Sequence, residues 1–158
     1  MKKLSIVMLL GISLILSSCG SGSHATGNIN GMWSATLSNS TLANDFIFMT
    51  RLTVNADGSL GTTSFNITLN STPCTFATTT ESGSFTLTGN FNGQVSGKFH
   101  YVVMSTGVEV NTLTLDGTVS GGQITGNWTV SGATANCSGF GTFTMNPVLT
   151  PGMNSAMN

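Results

Sequence analysis

Few residues of this chain could do chemistry. Its 158 residues include two histidines, three cysteines, four Lys or Arg and five Asp or Glu. A catalytic site needs a nucleophile, an acid, a base or a metal set that converge in one cleft. His24 lies in a Gly/Ser-rich stretch, outside any regular pattern. Lys98 and His100 alternate with Phe99 and Tyr101, so a strand here would point both polar side chains away from the core.

Serine and threonine are abundant, but no histidine is placed in the sequence so as to activate one of them. No nucleophile elbow, phosphate loop or metal-ligand spacing occurs. We therefore predict no catalytic residue, no metal site and no cofactor. An enzyme is the least favoured of the function classes considered.

The N-terminus has the pattern of an export signal. Two lysines at positions 2 and 3 precede an apolar run over 4–16, which is shorter than the roughly 20 residues that span a bilayer. Such a segment has to be set aside before the fold is considered. The run ends in Leu16-Ser17-Ser18-Cys19.

This tetrapeptide resembles the lipobox of bacterial lipoproteins. The resemblance implies a signal peptide over 1–18 that is cleaved before Cys19, and lipidation of the Cys19 thiol and of the new amine, with palmitate-like chains. Several acyl chains together anchor a protein stably in a membrane. Gly20, rather than Asp, follows the cysteine. In bacteria with two membranes this goes with outer-membrane sorting, so we expect an exported lipoprotein in the outer membrane or at the cell surface.

The other two cysteines, Cys74 and Cys137, are expected to form a disulfide, because export places them in an oxidising compartment. Each begins a strand-like segment after an irregular loop. The bond would clip the connection over 70–83 onto the last strand. On the chain-entropy model it would stabilise the fold by roughly 4 kcal/mol.

Charge excludes one class of partner. Beyond the signal peptide only Arg51 and Lys98 are basic, against five carboxylates. No basic patch is available to neutralise phosphates, so we expect no nucleic-acid partner. The membrane, through the lipid anchor, is an expected partner. A protein, a glycan or a small apolar ligand remain open as others.

The remaining pattern is that of an all-β domain. Charged residues make up 6% of the chain, and threonines alternate with apolar residues, as suits a half-buried pleated sheet. We predict a tether over 19–30, a β domain over 31–146 and a loose tail over 147–158. Eight or nine strands should form an antiparallel up-and-down meander, closed or nearly closed into a barrel, with a two-sheet sandwich as the alternative. The predicted strands are 32–38, 45–54, 60–69, 74–79, 84–91, 94–105, 108–119, 123–131 and 137–145.

An internal repeat predicts the register of the middle strands. The segment from Leu87 to Phe99 recurs from Leu115 to Trp128, with an extra glycine at the second turn, Gly121-Gly122. A two-residue turn there places Val119 opposite Ile124 and Leu115 opposite Trp128. In the first copy a left-handed Gly93 would place Gly89 opposite Val95 and Phe85 opposite Phe99.

The hairpin between the two copies turns at Thr106-Gly107. Its inward set changes from Val108 and Val110 to Leu113 and Leu115, which calls for a bulge near Asn111-Thr112. With that bulge, Tyr101 lies opposite Leu113. One inward row across four strands is then Phe85, Phe99, Leu115 and Trp128. The next inward row is Leu87, Gly97, Gly117 and Gly126. On the outer face, Lys98 pairs with Asp116. Neighbouring glycines on one face indicate curvature, with aromatic rings covering them, or room for a ligand.

Two Gly-x-Trp triplets, Gly31-Met32-Trp33 and Gly126-Asn127-Trp128, resemble the motif that opens the barrel of lipocalins and avidins. The resemblance implies a barrel that could hold a small ligand. The candidate lining residues would be Trp33, Phe99, Tyr101, Leu115 and Trp128.

The function favoured from sequence is instead an envelope-anchored, non-catalytic structural or interaction module with Thr/Asn-rich faces. A ligand-binding barrel is the first alternative and an enzyme the second.

Overall fold

The computed structural model describes residues 29–42, 44–91 and 94–148. Cys19, the predicted signal peptide, and His24 and nearly all of the tether therefore lie outside the described residues. Within these residues eight strands make up the fold, and the last of them reaches Pro147, one residue past the predicted end of the β domain at 146. They are β1 Gly31–Ser38, β2 Phe46–Val54, β3 Leu60–Asn70, β4 Thr79–Phe91, β5 Gln94–Ser105, β6 Asn111–Ser120, β7 Gln123–Gly132 and β8 Ser138–Pro147.

The strands form one antiparallel sheet in the order β3-β2-β1-β8-β7-β6-β5-β4. The first and last strands pair, with Ala35 opposite Met145, and so bring the two ends of the meander together. β3 and β4 are the two sheet edges. Within the described residues the bridge between them joins Ser84 on β4 to Ser59, which directly precedes β3, so the barrel keeps one seam that is not fully sealed. The prediction of an all-β, nearly closed barrel is confirmed, and the alternative of two sheets is not what forms.

Strict alternation sets the inner and outer faces of β5. Phe99 and Tyr101 are buried, and Lys98 and His100 between them are exposed. A slip of one residue would bury the charged side chains and expose the aromatic rings, which would cost several kcal/mol. The faces predicted from sequence are therefore the faces observed.

The hairpin of β6 and β7 has the predicted register. Leu115 lies opposite Trp128 and Val119 opposite Ile124. Gly121 and Gly122 both have positive φ, at 59° and 78°, as a type I′ turn requires at both of its central residues. The second copy of the repeat thus carries the information for its own turn.

The predicted register between β5 and β6 is wrong by two residues. β6 begins at Asn111 without a bulge, and Val108 and Val110 lie exposed in the preceding loop rather than inward. Tyr101 consequently faces Leu115 rather than Leu113. A shift of two residues leaves the paired side chains of β5 and β6 on their predicted faces, so alternation could not detect it.

The same shift changes the partners of two other residues. Phe99 lies opposite Gly117 rather than Leu115, and Asp116 faces His100 rather than Lys98. The predicted inward row of Phe85, Phe99, Leu115 and Trp128 is therefore broken at its centre. Its outer two pairs, Phe85 with Phe99 and Leu115 with Trp128, are confirmed.

The predicted glycine row is also divided. Gly97 pairs with Val119, whereas Gly117 pairs with Gly126. A bulge follows Leu87, so that Gly89 lies opposite Ser96 rather than Val95. The predicted left-handed residue, Gly93, lies outside the described residues.

Aromatic rings cover two of these glycines. A Cβ at Gly97 would lie 2.4 Å from the ring of Phe85, and one at Gly117 would lie 2.9 Å from the ring of Phe143. Ordinary Cβ contacts are never this short, so the missing side chains make room for the rings. The covering of glycines by neighbouring aromatic rings, one of the two interpretations of the glycine pattern, is what the fold shows.

The predicted strand over 74–79 is a loop instead. Residues 71–78 connect β3 to β4 and cover one end of the barrel, where the ring of Phe76 packs edge-on against Phe46 at 5.7 Å. Cys74 in this loop is bonded to Cys137 just before β8, with a Cα–Cα distance of 4.7 Å. The predicted disulfide is confirmed, and it attaches the loop to the start of the last strand.

Candidate functional site: two grooves on the outer face of the barrel

The five candidate ligand-lining residues all lie in the interior. Trp33, Phe99, Tyr101, Leu115 and Trp128 are each at most 5% exposed. Phe99 and Tyr101 stack with ring centroids 6.1 Å apart. The indole of Trp33 donates to the carbonyl of Ile29 at 2.9 Å, so its polar atom is satisfied by backbone. The structure brings these side chains together as packing partners in one core.

The hydroxyl of Tyr101 forms a small polar site beneath the seam. It lies 3.1 Å from the Thr50 hydroxyl and 3.4 Å from that of Thr62. Burial raises the pKa of Tyr101 to about 12, and the negative charge of Glu81 adds to this effect. Glu81 accepts a hydrogen bond from Thr79 on its own strand. A neutral, hydrogen-bonded tyrosine thus occupies the part of the interior nearest to the two sheet edges.

A second buried polar cluster is centred on Asn111, which is fully buried. Its amide donates to the carbonyl of Thr75 at 2.9 Å and to the hydroxyl of Thr134 at 2.7 Å. Its own carbonyl accepts from the backbone N–H of Thr134 at 3.2 Å. Asn111 therefore joins the loop over 71–78 to the β7–β8 connection, beside the disulfide. The sequence reasoning treated this position only as the site of a bulge.

The larger groove lies on the outer face of β4 to β7 and has a volume of about 620 Å³. Ser84, His100, Asp116 and Asn127 follow one another across the four strands, each opposite the next. The wall below them is formed by backbone at Gly117 and Gly126, where a Cβ on Gly126 would lie 2.1 Å from the carbonyl oxygen of Asp116. The backbone of β6 and β7 therefore forms part of the groove's floor.

A hydrogen-bonded pair of side chains, His100 and Asp116, lies at the centre of this groove. The Nδ1 atom of His100 is 2.6 Å from Oδ1 of Asp116, and the two side chains are 46% and 70% exposed. Water screens charges at this exposure, and such pairs contribute about 0–1 kcal/mol to stability. The predicted pairing of Lys98 with Asp116 is replaced by this contact, since Lys98 lies opposite Thr118. Lys98 still lines the same groove.

The smaller groove, of about 390 Å³, adjoins the first at Asn127. Phe140 on β8 forms its apolar side and is 79% exposed. Of the aromatic side chains whose burial the structure describes, Phe140 is the one that lies largely in solvent. The remaining lining residues are polar or glycine: Ser38, Asn39, Ser40, Asn127, Gly141 and Thr142.

Sequence reasoning missed Phe140, although a signal was present. In β8 the buried residues are Phe143 and Met145, and Phe140 has the opposite parity. An aromatic residue at an outward position of a strand is the exception to the pattern followed by the rest of the chain. What the sequence could not show is that Phe140 lies beside the β1–β2 connection.

Comparison with protein-family models, with curated protein sequences and with solved structures finds no match. Across residues 29–42, 44–91 and 94–148, no helix is long and apolar enough to cross a membrane. The same residues include no group of three or more His, Cys, Asp or Glu placed to hold a metal ion. Function has to be argued from the two grooves and the core themselves.

Proposed function

We propose that this protein is an exported lipoprotein, anchored in the bacterial envelope through Cys19, whose barrel is a non-catalytic interaction module. The observation that supports this is the distribution of polar and apolar groups. The aromatic side chains fill the interior, and the concave surfaces lie outside, across the faces of β4 to β8. A module of this kind contacts its partner through the outer wall.

The packing of the core supports the same proposal. Side chains such as Tyr101, Leu115 and Met145 are completely buried. Every buried side-chain nitrogen or oxygen in the described part of the chain has a hydrogen-bond partner. A ligand site usually presents a few polar groups that are unpaired until the ligand arrives. An interior whose polar atoms already have partners suits a structural core.

The first test concerns the anchor. Cells given an alkyne analogue of palmitate should label the wild-type protein, and Cys19→Ala should abolish the label. Cys74→Ala/Cys137→Ala is the matched control, because it removes the other two cysteines together, leaves no unpaired thiol and lies far from the predicted lipobox. Equal labelling of the wild type and the Cys19→Ala variant would disprove the anchor.

The second test separates an outer-wall module from a barrel that holds a small apolar ligand. The apolar dye ANS should not bind saturably to the native protein, and the fluorescence of the buried Trp33 and Trp128 should not change when it is added. Unfolding in urea, followed by refolding, provides the positive control, because partly folded states with exposed apolar surface bind this dye. Saturable binding to the native state with quenching of tryptophan, unchanged in Phe140→Ala, would favour the ligand-binding barrel.

A further inference from the structure

We infer that the smaller groove, formed by Phe140, Asn127, Thr142 and the residues 38–40, is a binding site for a neutral glycan. This inference rests on the proposed function, in which the outer wall makes the contacts, and it names the class of ligand. The groove combines one solvent-exposed aromatic ring with a border of hydroxyl and amide groups. A pyranose has the complementary surface, with an apolar face of C–H groups and hydroxyls around its edge.

The exposed ring of Phe140 is the apolar centre of this groove. Phe140 is 79% exposed and lies opposite Thr129, with Asn127 and Thr142 as polar neighbours on the same outer face. The apolar area is therefore about the size of one ring. Protein partners generally bury a larger apolar centre, in which several anchors are surrounded by a rim that excludes water. A single ring bordered by polar groups matches one face of a sugar better.

Polar side chains beside Phe140 can form hydrogen bonds with a sugar. Asn127 and Thr142 lie directly opposite each other on β7 and β8. Within the described residues neither side chain makes a hydrogen bond, so an amide and a hydroxyl remain available beside the ring. Together they offer donors and acceptors at the spacing of a cross-strand pair, about 5 Å. Sugar hydroxyls both donate and accept, and they can use each of these groups.

The groove is also preformed. The side-chain oxygen of Asn39 accepts from the backbone N–H of Thr41 and of Leu42, each at 2.8 Å. Its amide donates to Asp45 at 2.7 Å. Asn39 thereby fixes the loop that forms the far wall. A wall that is already ordered reduces the entropy lost when a ligand binds.

Charge decides between neutral and ionic glycans. None of the residues lining this groove is charged. Two carboxylates adjoin the lining residues: Asp45 accepts from the amide of Asn39 at 2.7 Å, and Asp116 lies opposite Asn127. An anionic sugar would meet these carboxylates, whereas Lys98 and His100 lie on β5, two strands away from Asn127 on β7, so a neutral glycan is favoured.

Trp128 provides an internal reporter. Its indole N–H donates to the carbonyl of Ser38 at 3.0 Å, directly behind the groove wall. A Cβ at Gly141 would lie 2.8 Å from the indole nitrogen, so the glycine lets the indole pack against the inner side of this wall. A ligand that binds outside should change the fluorescence of Trp128 without entering the core.

The test uses the full-length lipidated protein in a detergent without a sugar headgroup. The probes are cellohexaose, chitohexaose, mannohexaose and maltohexaose, with polygalacturonate as the anionic comparison, and binding is followed by tryptophan fluorescence and on immobilised sugars. At least one neutral oligosaccharide should bind better than polygalacturonate. Phe140→Ala should weaken that binding about tenfold or more, and Asn127→Ala should weaken it several-fold. Phe140→Trp should retain it, since an indole also stacks on a sugar.

Val108→Ala is the matched control, because Val108 is a fully exposed apolar residue in the β5–β6 loop, away from the groove. It should bind as the wild type does. Equal binding by Phe140→Ala and the wild type would overturn the site.

In parallel, a photo-crosslinking amino acid at position 142 is used in living cells. If no sugar binds but position 142 crosslinks to an envelope protein or to a second copy of this chain, the glycan inference is overturned and the proposed function is retained. If the protein shows no sugar binding and no crosslinks, both the glycan inference and the proposed function are overturned.

Discussion

Removing the disulfide between Cys74 and Cys137 should destabilise the barrel mainly by increasing the conformational entropy of the unfolded chain. The two residues are 63 positions apart in the sequence. A crosslink that closes a loop of this length reduces the entropy of the unfolded chain, which corresponds to about 4 kcal/mol at 25 °C on the chain-entropy model. The double variant Cys74→Ala/Cys137→Ala should therefore lose about 4 kcal/mol of unfolding free energy.

The native position of the loop over 71–78 should survive this change. Its first residue, Ser71, donates to the carbonyl of Asp45 at 2.8 Å, and its last, Thr78, accepts from the N–H of Thr106 at 2.8 Å. These bonds do not depend on the sulfur atoms. The loss should consequently be a property of the unfolded state more than of the folded contacts.

The assay is equilibrium unfolding in urea, followed by the fluorescence of the two buried tryptophans, in a Cys19→Ala background that lacks the predicted lipid anchor. The variant should also show a larger dependence of unfolding free energy on urea, because its unfolded state is less compact. Wild-type protein with and without reductant provides a second comparison with no substitution at the disulfide. A loss below about 1 kcal/mol, with unchanged urea dependence, would refute the reasoning.

Two further predictions concern the buried polar groups. Asn111→Ala should cost roughly 1–3 kcal/mol, because it removes the hydrogen bonds of a buried amide to Thr75 and Thr134, and each such bond contributes about 0.5–1.5 kcal/mol. The exposed Asn127→Ala should change the unfolding free energy by less than about 0.5 kcal/mol in the same urea assay. Equal effects would contradict the role of Asn111. Tyr101, the one tyrosine of the chain, should ionise near pH 12 in an ultraviolet titration, against about 10 in the unfolded chain. Because its folded pKa is raised, the stability it contributes should be complete below pH 10 and be lost between pH 10 and 12, and a titration midpoint near 10 would show that the hydroxyl is not buried.

Local pattern determines much of this barrel. Alternation has a period of two residues and needs no knowledge of distant strands, so it is enough to place Phe99 and Tyr101 inside and Lys98 outside. Gly121-Gly122 likewise determines its own turn, since both residues adopt a positive φ that other residues rarely adopt. The pairing of Cys74 with Cys137 follows from the number of cysteines beyond the predicted anchor.

The tertiary structure decides what alternation leaves open. A shift of two residues between β5 and β6 keeps every face unchanged, so the choice of Gly117 rather than Leu115 as the partner of Phe99 depends on how the strands pack. The ring of Phe143, from a strand two positions away in the sheet, lies over Gly117. Only the folded barrel brings such a pair together.

The candidate site depends on the same long-range closure. Phe140 and Asn127 meet the loop at residues 38–40 because β1 pairs with β8, and that pairing joins two ends of the meander that are far apart in sequence. Asn111 meets Thr75 and Thr134 for a similar reason. The sequence by itself determined which side chains of a regular strand such as β5 face inward and where one hairpin turns, because those choices depend on neighbouring residues. Which outward residues share a groove, and which strands border the seam, is decided by the packing of the whole sheet.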